Sequence, residues 1–355
     1  MNTPIKTINL AGVEIGEKPF LIAEAGINHN GELNTAFKMI EVAKESGVDA
    51  VKFQTFKAEE FVANHTQTFT YKSQGKQITE SMIEMFKRYE FSREEWFKIK
   101  KKCDEVGILF LSTPQNISDL ELLLEVGIPA IKVGSDDFNN LPLLKEYKKT
   151  KLPIILSCGM ADEEEIHQSL NLFENYPLIL LLCTSEYPTP PASVNLKKLV
   201  PLRKLYPSVL LGFSDHTQGP LAASIATAYN TCVFEKHFTL NQQLEGPDHW
   251  FSENPEGLKE WVLSIRKAYL LLGTENLEPS AAEKEMKKIA RRSIVSLRKI
   301  LKDELFSLEN IGLKRPGTGL PPGLYEKVIG KKAARNIEKN ALIQESDFKN
   351  GTESL

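Results

Sequence analysis

From Phe20 to about residue 270, short apolar runs alternate with stretches of helical periodicity, and each run ends in small or polar residues. There are eight runs: FLIAEAG from Phe20, AVKFQT from Ala50, ILFLSTP from Ile108, AIKVGS from Ala130, PIILSCG from Pro153, LILLLCT from Leu178, LLGFSDH from Leu210 and CVFEKHF from Cys232. Near-continuous apolar strands joined by helices predict a parallel sheet covered on both faces. Eight such units in about 250 residues predict an α/β fold of the (β/α)8 TIM-barrel kind rather than an open doubly wound sheet. No G-x-G-x-x-G follows the first run, which argues further against a dinucleotide fold.

Helices are expected over roughly Asn34 to Ser46, Arg93 to Val106, Asp162 to Glu174 and Pro255 to Leu272. The segment 56–91 is far longer than an ordinary βα loop and polar throughout; it reads equally as a lid over the barrel mouth or as a surface insertion. These boundaries give a catalytic barrel over 1–272 with an N-terminal cap over about 1–19. A charged linker over 273–290 and a small module over 291–351 complete the chain. The module alternates like short strands and has too few residues for a large core of its own.

Polar residues at the C-terminal ends of barrel strands carry functional weight. Here they include Glu24, Lys52, Gln54, Thr113, Lys132, Ser135, Asp136, Asp137, Ser157, Ser185, Ser214, Asp215, His216, Glu235, Lys236 and His237. Two lysines closing neighbouring apolar strands are costly to bury without a counterion, so they predict either an anionic ligand or a glutamate partner inside the barrel. His216 and His237 close the seventh and eighth strands, from which their imidazoles can converge on one ion, with Glu24 and Asp248 as nearby carboxylates. For any single histidine, a hydrogen-bonded core position is the competing reading. No H-E-x-x-H, G-x-S-x-G or Walker A pattern is present.

A net charge of -3 with 26% charged residues excludes a strongly basic nucleic-acid binder. No basic leader with an apolar core opens the sequence and no apolar run reaches membrane-spanning length, so a cytoplasmic protein without a membrane partner is expected. Cys103, Cys158, Cys183 and Cys232 are scattered, with no C-x-x-C pairing, and read as small core residues.

In order along the chain, LIAEAGINHNG, VKFQT, LSTP, IKVGS, CTSEYPTP, GFSDHT, FEKHFT and EGPDH resemble the motifs of the sialic acid synthase family, which makes N-acetylneuraminate, legionaminate or pseudaminate. The resemblance extends to a C-terminal antifreeze-like (SAF, β-clip) module. It implies a transferase that joins phosphoenolpyruvate to an N-acetylmannosamine-type sugar, with N-acetylneuraminate as first product and legionaminic or pseudaminic acid as alternatives. Phosphoenolpyruvate would be held by Lys52, Thr113, Lys132, Ser135, Ser157, Ser185 and Ser214. The sugar would meet Glu24, Gln54, Asp137, Tyr187, Asp248 and Arg315, the last supplied by the partner subunit of a domain-swapped homodimer through the RPGTG loop. His216 and His237 would hold a divalent metal, Mn2+ first, with Mg2+ or Co2+ as alternatives. Glu24, Lys52 and Lys132 would be the catalytic groups.

Three departures from the family pattern touch substrate: Ser135-Asp136-Asp137 stands for S-G-E, Leu182-Cys183-Thr184 for His-Cys-Thr, and Ser157-Cys158-Gly159 for S-T-G. In the module, Asp303 and Asn340 replace turn glycines. Barrels that use sugar phosphates need additional arginines, and none stands at a strand end here.

Overall fold

The computed structural model describes residues 7–348. Two compact units emerge, Met1–Gly273 and Thr274–Leu355.

The first unit is built on eight parallel strands: β1 (Phe20–Gly26), β2 (Ala50–Thr55), β3 (Leu109–Pro114), β4 (Ile131–Val133), β5 (Ile154–Ser157), β6 (Leu178–Cys183), β7 (Leu210–Asp215) and β8 (Val233–His237). Hydrogen bonding runs β3-β2-β1-β8-β7-β6-β5-β4, and β3 lies beside β4 to complete a nearly closed barrel. β3 therefore stands between the strands carrying Lys52 and Lys132, so the two lysines, expected on neighbouring strands, lie one strand further apart.

Although both faces of each strand are buried, the side chains still alternate. Leu21, Ala23, Val51 and Phe53 face the helices in one large core. Phe20, Ile22, Ala50, Leu111, Ile155 and Leu181 pack in a second core inside the barrel. One layer higher, the same inward register carries Glu24, Lys52, Thr113, Lys132, Ser157, Ser214 and Glu235. Asp215 and Lys236 take the outward register and bond to each other at 3.1 Å, with Trp261 Nε1 donating to Asp215 at 3.0 Å. These two strand-end residues join strand to helix and do not line the mouth.

Gly212 belongs to the lower interior layer, where a Cβ would fall 2.4 Å from both Leu181 Cδ2 and the Val233 carbonyl oxygen. The N-terminal residues expected to act as a cap form an antiparallel hairpin, Ile8–Leu10 with Val13–Ile15. Its Ile8, Leu10 and Ile15 join the interior core.

Helices follow at α1 (Leu33–Ser46), α2 (Arg93–Val106), α3 (Ile117–Val126), α4 (Leu141–Lys149), α5 (Glu163–Leu172), α6 (Leu199–Leu205), α7 (Leu221–Ala226) and α8 (Pro255–Leu272). Capping boxes at Ser92 and Asp162 set the starts of α2 and α5. The long polar segment after β2 is ordered. It holds the short helices Ala58–Phe61 and Met82–Lys87 around a hairpin, Thr68–Ser73 with Lys76–Ser81. Gln74 and Gly75 both have positive φ, the geometry of a tight two-residue hairpin turn. Gln74 Nε2 donates to the Gln243 carbonyl at 3.1 Å, and Gly246 N donates to Ser73 Oγ at 3.1 Å, tying the hairpin to the loop after β8.

In the second unit, α9 (Ala281–Ala290) occupies the stretch read as a linker, with a capping box at Ser280. It precedes an antiparallel pair, Ser293–Ser296 with Ile311–Lys314, and a small core that includes Ile294, Phe306 and Ile337. Asp303 and Asn340 have φ of 67° and 64°, the left-handed conformation that a glycine would otherwise supply.

Candidate active site

At the C-terminal end of the barrel, a cavity of about 300 Å3 is floored by Lys52, Thr113, Lys132, Ser157, Ser214 and Glu235. Lys52 Nζ lies 2.9 Å from Glu24 and 3.5 Å from Glu235, and it donates to Thr113 Oγ1 at 3.2 Å. Lys132 Nζ donates to Ser157 Oγ at 2.9 Å and lies 3.6 Å from Glu235. The two readings of the lysines thus coexist: glutamates partner them, and hydroxyls surround them at a mouth that a ligand can enter. Glu235, whose role was not foreseen, is their shared counterion. Period-two alternation from Val233 to His237 would have placed it inside.

Electrostatics follow from burial. Burial alone would push the Glu235 carboxyl up, but Lys132 and Lys52 outweigh it and hold the group at about 2. Glu24 is raised by burial against the opposing pull of Lys52, with Glu235 adding repulsion. Lys132 is lowered by burial, which Glu235 only partly offsets. For Lys52 the two carboxylates overcome burial and the pKa rises.

Above this floor stand the imidazoles of His216 and His237, ring centres 5.5 Å apart. His216 Nδ1 is 2.8 Å from the Thr184 carbonyl oxygen, which fixes a proton there, and Nε2 lies 3.4 Å from Ser214 Oγ. His237 Nδ1 is buried without a hydrogen-bond partner. Burial, then the nearby His216, drives His237 well below the ordinary imidazole pKa, so the ring is neutral. At His216 burial is outweighed by Cys183 and by the hydrogen bond to Thr184, which raise the pKa; a divalent ion at this pair would compete with that proton and draw its remaining ligands from water or substrate. Among the described residues, no group of three or more His, Cys, Asp or Glu converges as a metal centre. His29 and His249 are different. Burial lowers them to about 3 and about 4; His29 stacks on Phe91, and His249 meets Thr239 Oγ1 at 2.6 Å.

Ser135 and Ser185 line the cavity beside Gly159, where a Cβ would fall 2.6 Å and 2.5 Å from their hydroxyls. Ser135 Oγ accepts from Gly159 N at 3.0 Å, while Ser185 Oγ is buried without a partner. A second cavity of about 620 Å3 shares Gln54, Phe86, Asp136, Tyr187 and His237 with the first and continues outward to Asp248, Trp250 and the hairpin residue Lys72. Gln54 Nε2 donates to Glu24 Oε1 at 3.2 Å. Tyr187 lies over His216 with ring centres 4.2 Å apart. Asp248 is raised to about 7 by burial, with Glu24 adding repulsion.

Of the expected sugar contacts, Asp137 does not line either cavity. Its carboxylate accepts from Asn140 Nδ2 at 2.8 Å, at the start of α4, and the lining residue is its neighbour Asp136. Arg315 lies exposed in the second unit. Gln115, Met160, Phe56, Phe61 and Phe86 line the inner cavity without having been singled out in the sequence. Phe56, Gln115 and Met160 come from loops, and Phe61 and Phe86 from helices of only four and six residues, too short to carry a periodic signal.

Residues 39–276 match the NeuB family, and residues 291–349 match the SAF domain. The chain belongs to the NeuB family. It is 39% identical over 337 residues to N,N'-diacetyllegionaminic acid synthase of Campylobacter jejuni, covering 93% of this chain and 100% of that one. With human N-acetylneuraminate-9-phosphate synthase it shares 33% identity over 338 residues, covering 93% of each chain. Among solved structures, N-acetylneuraminic acid (sialic acid) synthetase from Leptospira borgpetersenii in complex with citrate matches with a TM-score of 0.72 and 32% identity, covering 79% of this chain and 95% of that one. NeuB membership places the chain among the sialic and nonulosonic acid synthases. No helix among the described residues is long and apolar enough to cross a membrane.

Proposed function

We propose that this NeuB-family enzyme condenses phosphoenolpyruvate with the open-chain aldehyde of an N-acylated amino sugar to form a nonulosonate and phosphate. The observation that carries the reading is the pair of buried lysines, Lys52 and Lys132, set among hydroxyls in the cavity that His216 and His237 also line. An anion in the inner cavity supplies the negative charge these lysines can use, and Thr113, Ser135, Ser157, Ser185 and Ser214 offer donors to its oxygens. Citrate, the molecule held by the Leptospira synthetase, is likewise a carboxylate.

Carbon 3 of phosphoenolpyruvate attacks the aldehyde carbon, a carbon–carbon bond forms, and cationic character develops at carbon 2. Water adds there, and the bond between carbon 2 and the bridging oxygen breaks as phosphate leaves. Glu24 positions or deprotonates that water, and the lysines balance the phosphate and carboxylate charge. A divalent ion held by His216 and His237, Mn2+ first, would act as a Lewis acid on the sugar's aldehyde oxygen. The sugar's remaining length lies in the outer cavity, against Gln54, Asp136, Tyr187 and Asp248. Arg315 reaches the sugar from the second subunit of a domain-swapped homodimer.

N-acetylmannosamine is the first sugar the motifs suggest. The higher identity to the diacetyllegionaminic acid synthase than to the human N-acetylneuraminate-9-phosphate synthase, 39% against 33%, moves a diacetamido-dideoxy hexose ahead of it. Phosphate release from phosphoenolpyruvate, measured with each of these sugars and with N-acetylmannosamine 6-phosphate, tests the reading. Turnover should be highest with the diacetamido sugar and should stop when a chelator removes metal. Phosphate release that needs no sugar, or none with any sugar, would overturn it.

A further inference from the structure

The second unit holds a cavity of its own, about 440 Å3, lined by the cationic side chains of Lys284, Lys287, Lys288, Arg291 and Arg292. Lys284, Lys287 and Lys288 follow the i, i+3, i+4 spacing on one face of α9, and Arg291 and Arg292 follow immediately past its end. A solvated helix face ordinarily mixes signs at this spacing, because like charges three or four residues apart destabilise a helix. Here the sequence accepts such neighbours repeatedly. The unit as a whole is basic, with 16 Lys and Arg against 12 Asp and Glu after Gly273, whereas the full chain carries 44 against 47.

The helix terminus does not explain the cluster. Cations in the last turn do favour the negative end of a helix, which accounts for Lys287 and Lys288. Arg291 and Arg292, however, lie beyond the helix, and terminal carbonyls already have backbone donors: Arg291 N on Lys287 at 3.2 Å and Gly317 N on Lys288 at 2.8 Å. Intramolecular pairing does not explain it either. Lys284 and Lys288 meet Glu278 at 3.5 Å and Glu285 at 2.8 Å, while Lys287, Arg291 and Arg292 have no ion pair among the described residues. Opposed to the cations is a fixed wall. Gly317 is pressed so closely against α9 that a Cβ would fall 2.6 Å from the Lys287 carbonyl oxygen and 2.8 Å from Arg291 Cβ. Pro321 and Pro322 line the same cavity and add rigid apolar surface.

We propose that this cavity binds a small diphosphate-bearing anion. Three cations without partners match the charge of a diphosphate, and the paired arginines offer planar forks suited to phosphate oxygens. The cavity's wall belongs to the loop that carries Arg315.

Isothermal titration of the full-length protein with pyrophosphate and with CDP tests the proposal. The comparison is between the unaltered protein and the Arg291→Ala/Arg292→Ala double variant. Anion binding in the barrel is common to both proteins, so the difference isolates this cavity. Affinity for pyrophosphate should fall at least about tenfold in the double variant. Tighter binding of CDP than pyrophosphate to the unaltered protein would point to a nucleotide as the source; equal binding would point to the diphosphate group alone. The conservative Arg291→Lys/Arg292→Lys variant should recover part of the loss, and Lys287→Ala should show a smaller loss if the double variant fails to fold. Unchanged affinities across the variants would overturn the proposal. A shift in sedimentation with unchanged anion affinity would do so too, assigning the patch to contact between copies of the chain.

Discussion

At the level of single residues, the site depends on charges placed where water is scarce. Glu235 stands within 3.6 Å of both Lys52 and Lys132, and all three side chains are about 95% buried or more. Removing one partner of a buried ion pair leaves an uncompensated charge, which costs about 3–5 kcal/mol. Glu235→Ala should lose stability on that scale in urea unfolding, and phosphoenolpyruvate should restore more stability to the variant than it adds to the unaltered enzyme. A loss under about 1 kcal/mol would show that other groups compensate the lysines. The neighbouring acids Asp136 and Asp137 are separated by their surroundings. Asp137 is held by Asn140, whereas Asp136 lines both cavities. Asp136→Asn should therefore raise the sugar's KM severalfold with little effect on that of phosphoenolpyruvate, and Asp137→Asn should affect it less. The reverse order in steady-state kinetics would return the sugar contact to Asp137.

Among the elements, the hairpin after β2 forms part of the outer cavity's wall, through Phe69, Tyr71 and Lys72. It is braced by Arg88, whose two terminal nitrogens donate to Glu80 at 2.7 Å and 2.6 Å, and by Tyr71 OH, which donates to Glu80 at 2.7 Å. The hydrogen bond from Arg88, opposed by partial burial, lowers the Glu80 pKa. A carboxylate with a depressed folded-state pKa contributes stability above its unfolded pKa, about 4.3, and loses it as pH falls through the folded value. Protection of the hairpin amides, relative to their intrinsic exchange rates, should therefore fall on acidification below about pH 4, while that of the barrel strands changes less. Glu80→Gln should exchange faster already at neutral pH and lose that acid dependence. An acid-insensitive hairpin in the unaltered protein would show that the brace contributes nothing.

For the whole molecule, the proposed exchange of Arg315 between subunits makes a quantitative claim. Arg315→Ala and Lys52→Ala homodimers should each be inactive. When the two are mixed and reassorted, about half of the dimers carry one of each chain, and a swapped arginine leaves one of their two sites intact. Roughly a quarter of the unaltered activity should return. A mixture that stays inactive would mean that Arg315 serves its own barrel or none.

The barrel was legible because eight apolar runs with helices between them leave few alternatives, and the strand ends pointed to the inner cavity because chain direction decides which end of each strand faces the mouth. Glu24, Lys52, Thr113, Lys132, Ser157 and Ser214 could all be found in this way. Period-two alternation sorts neighbouring strand-end residues onto opposite sides, but taking every polar strand end as a candidate ignores it, and local sequence does not record what stands across the barrel from each. For that reason Lys236 and Asp215 looked like site residues until the register turned them outward onto Trp261, while Glu235, one position away, became the counterion of two lysines on other strands. Loop residues such as Met160, Gln115 and Trp250 reach the cavities only because closure of the sheet brings distant chain segments together. The sequence by itself determined the order of elements, the end of the barrel that carries the chemistry, and the residue types available there. Tertiary structure decided the pairing of charges, the exchange of Asp137 for Asp136 at the cavity wall, and the structured hairpin over the mouth, because each depends on distances between residues far apart in the chain.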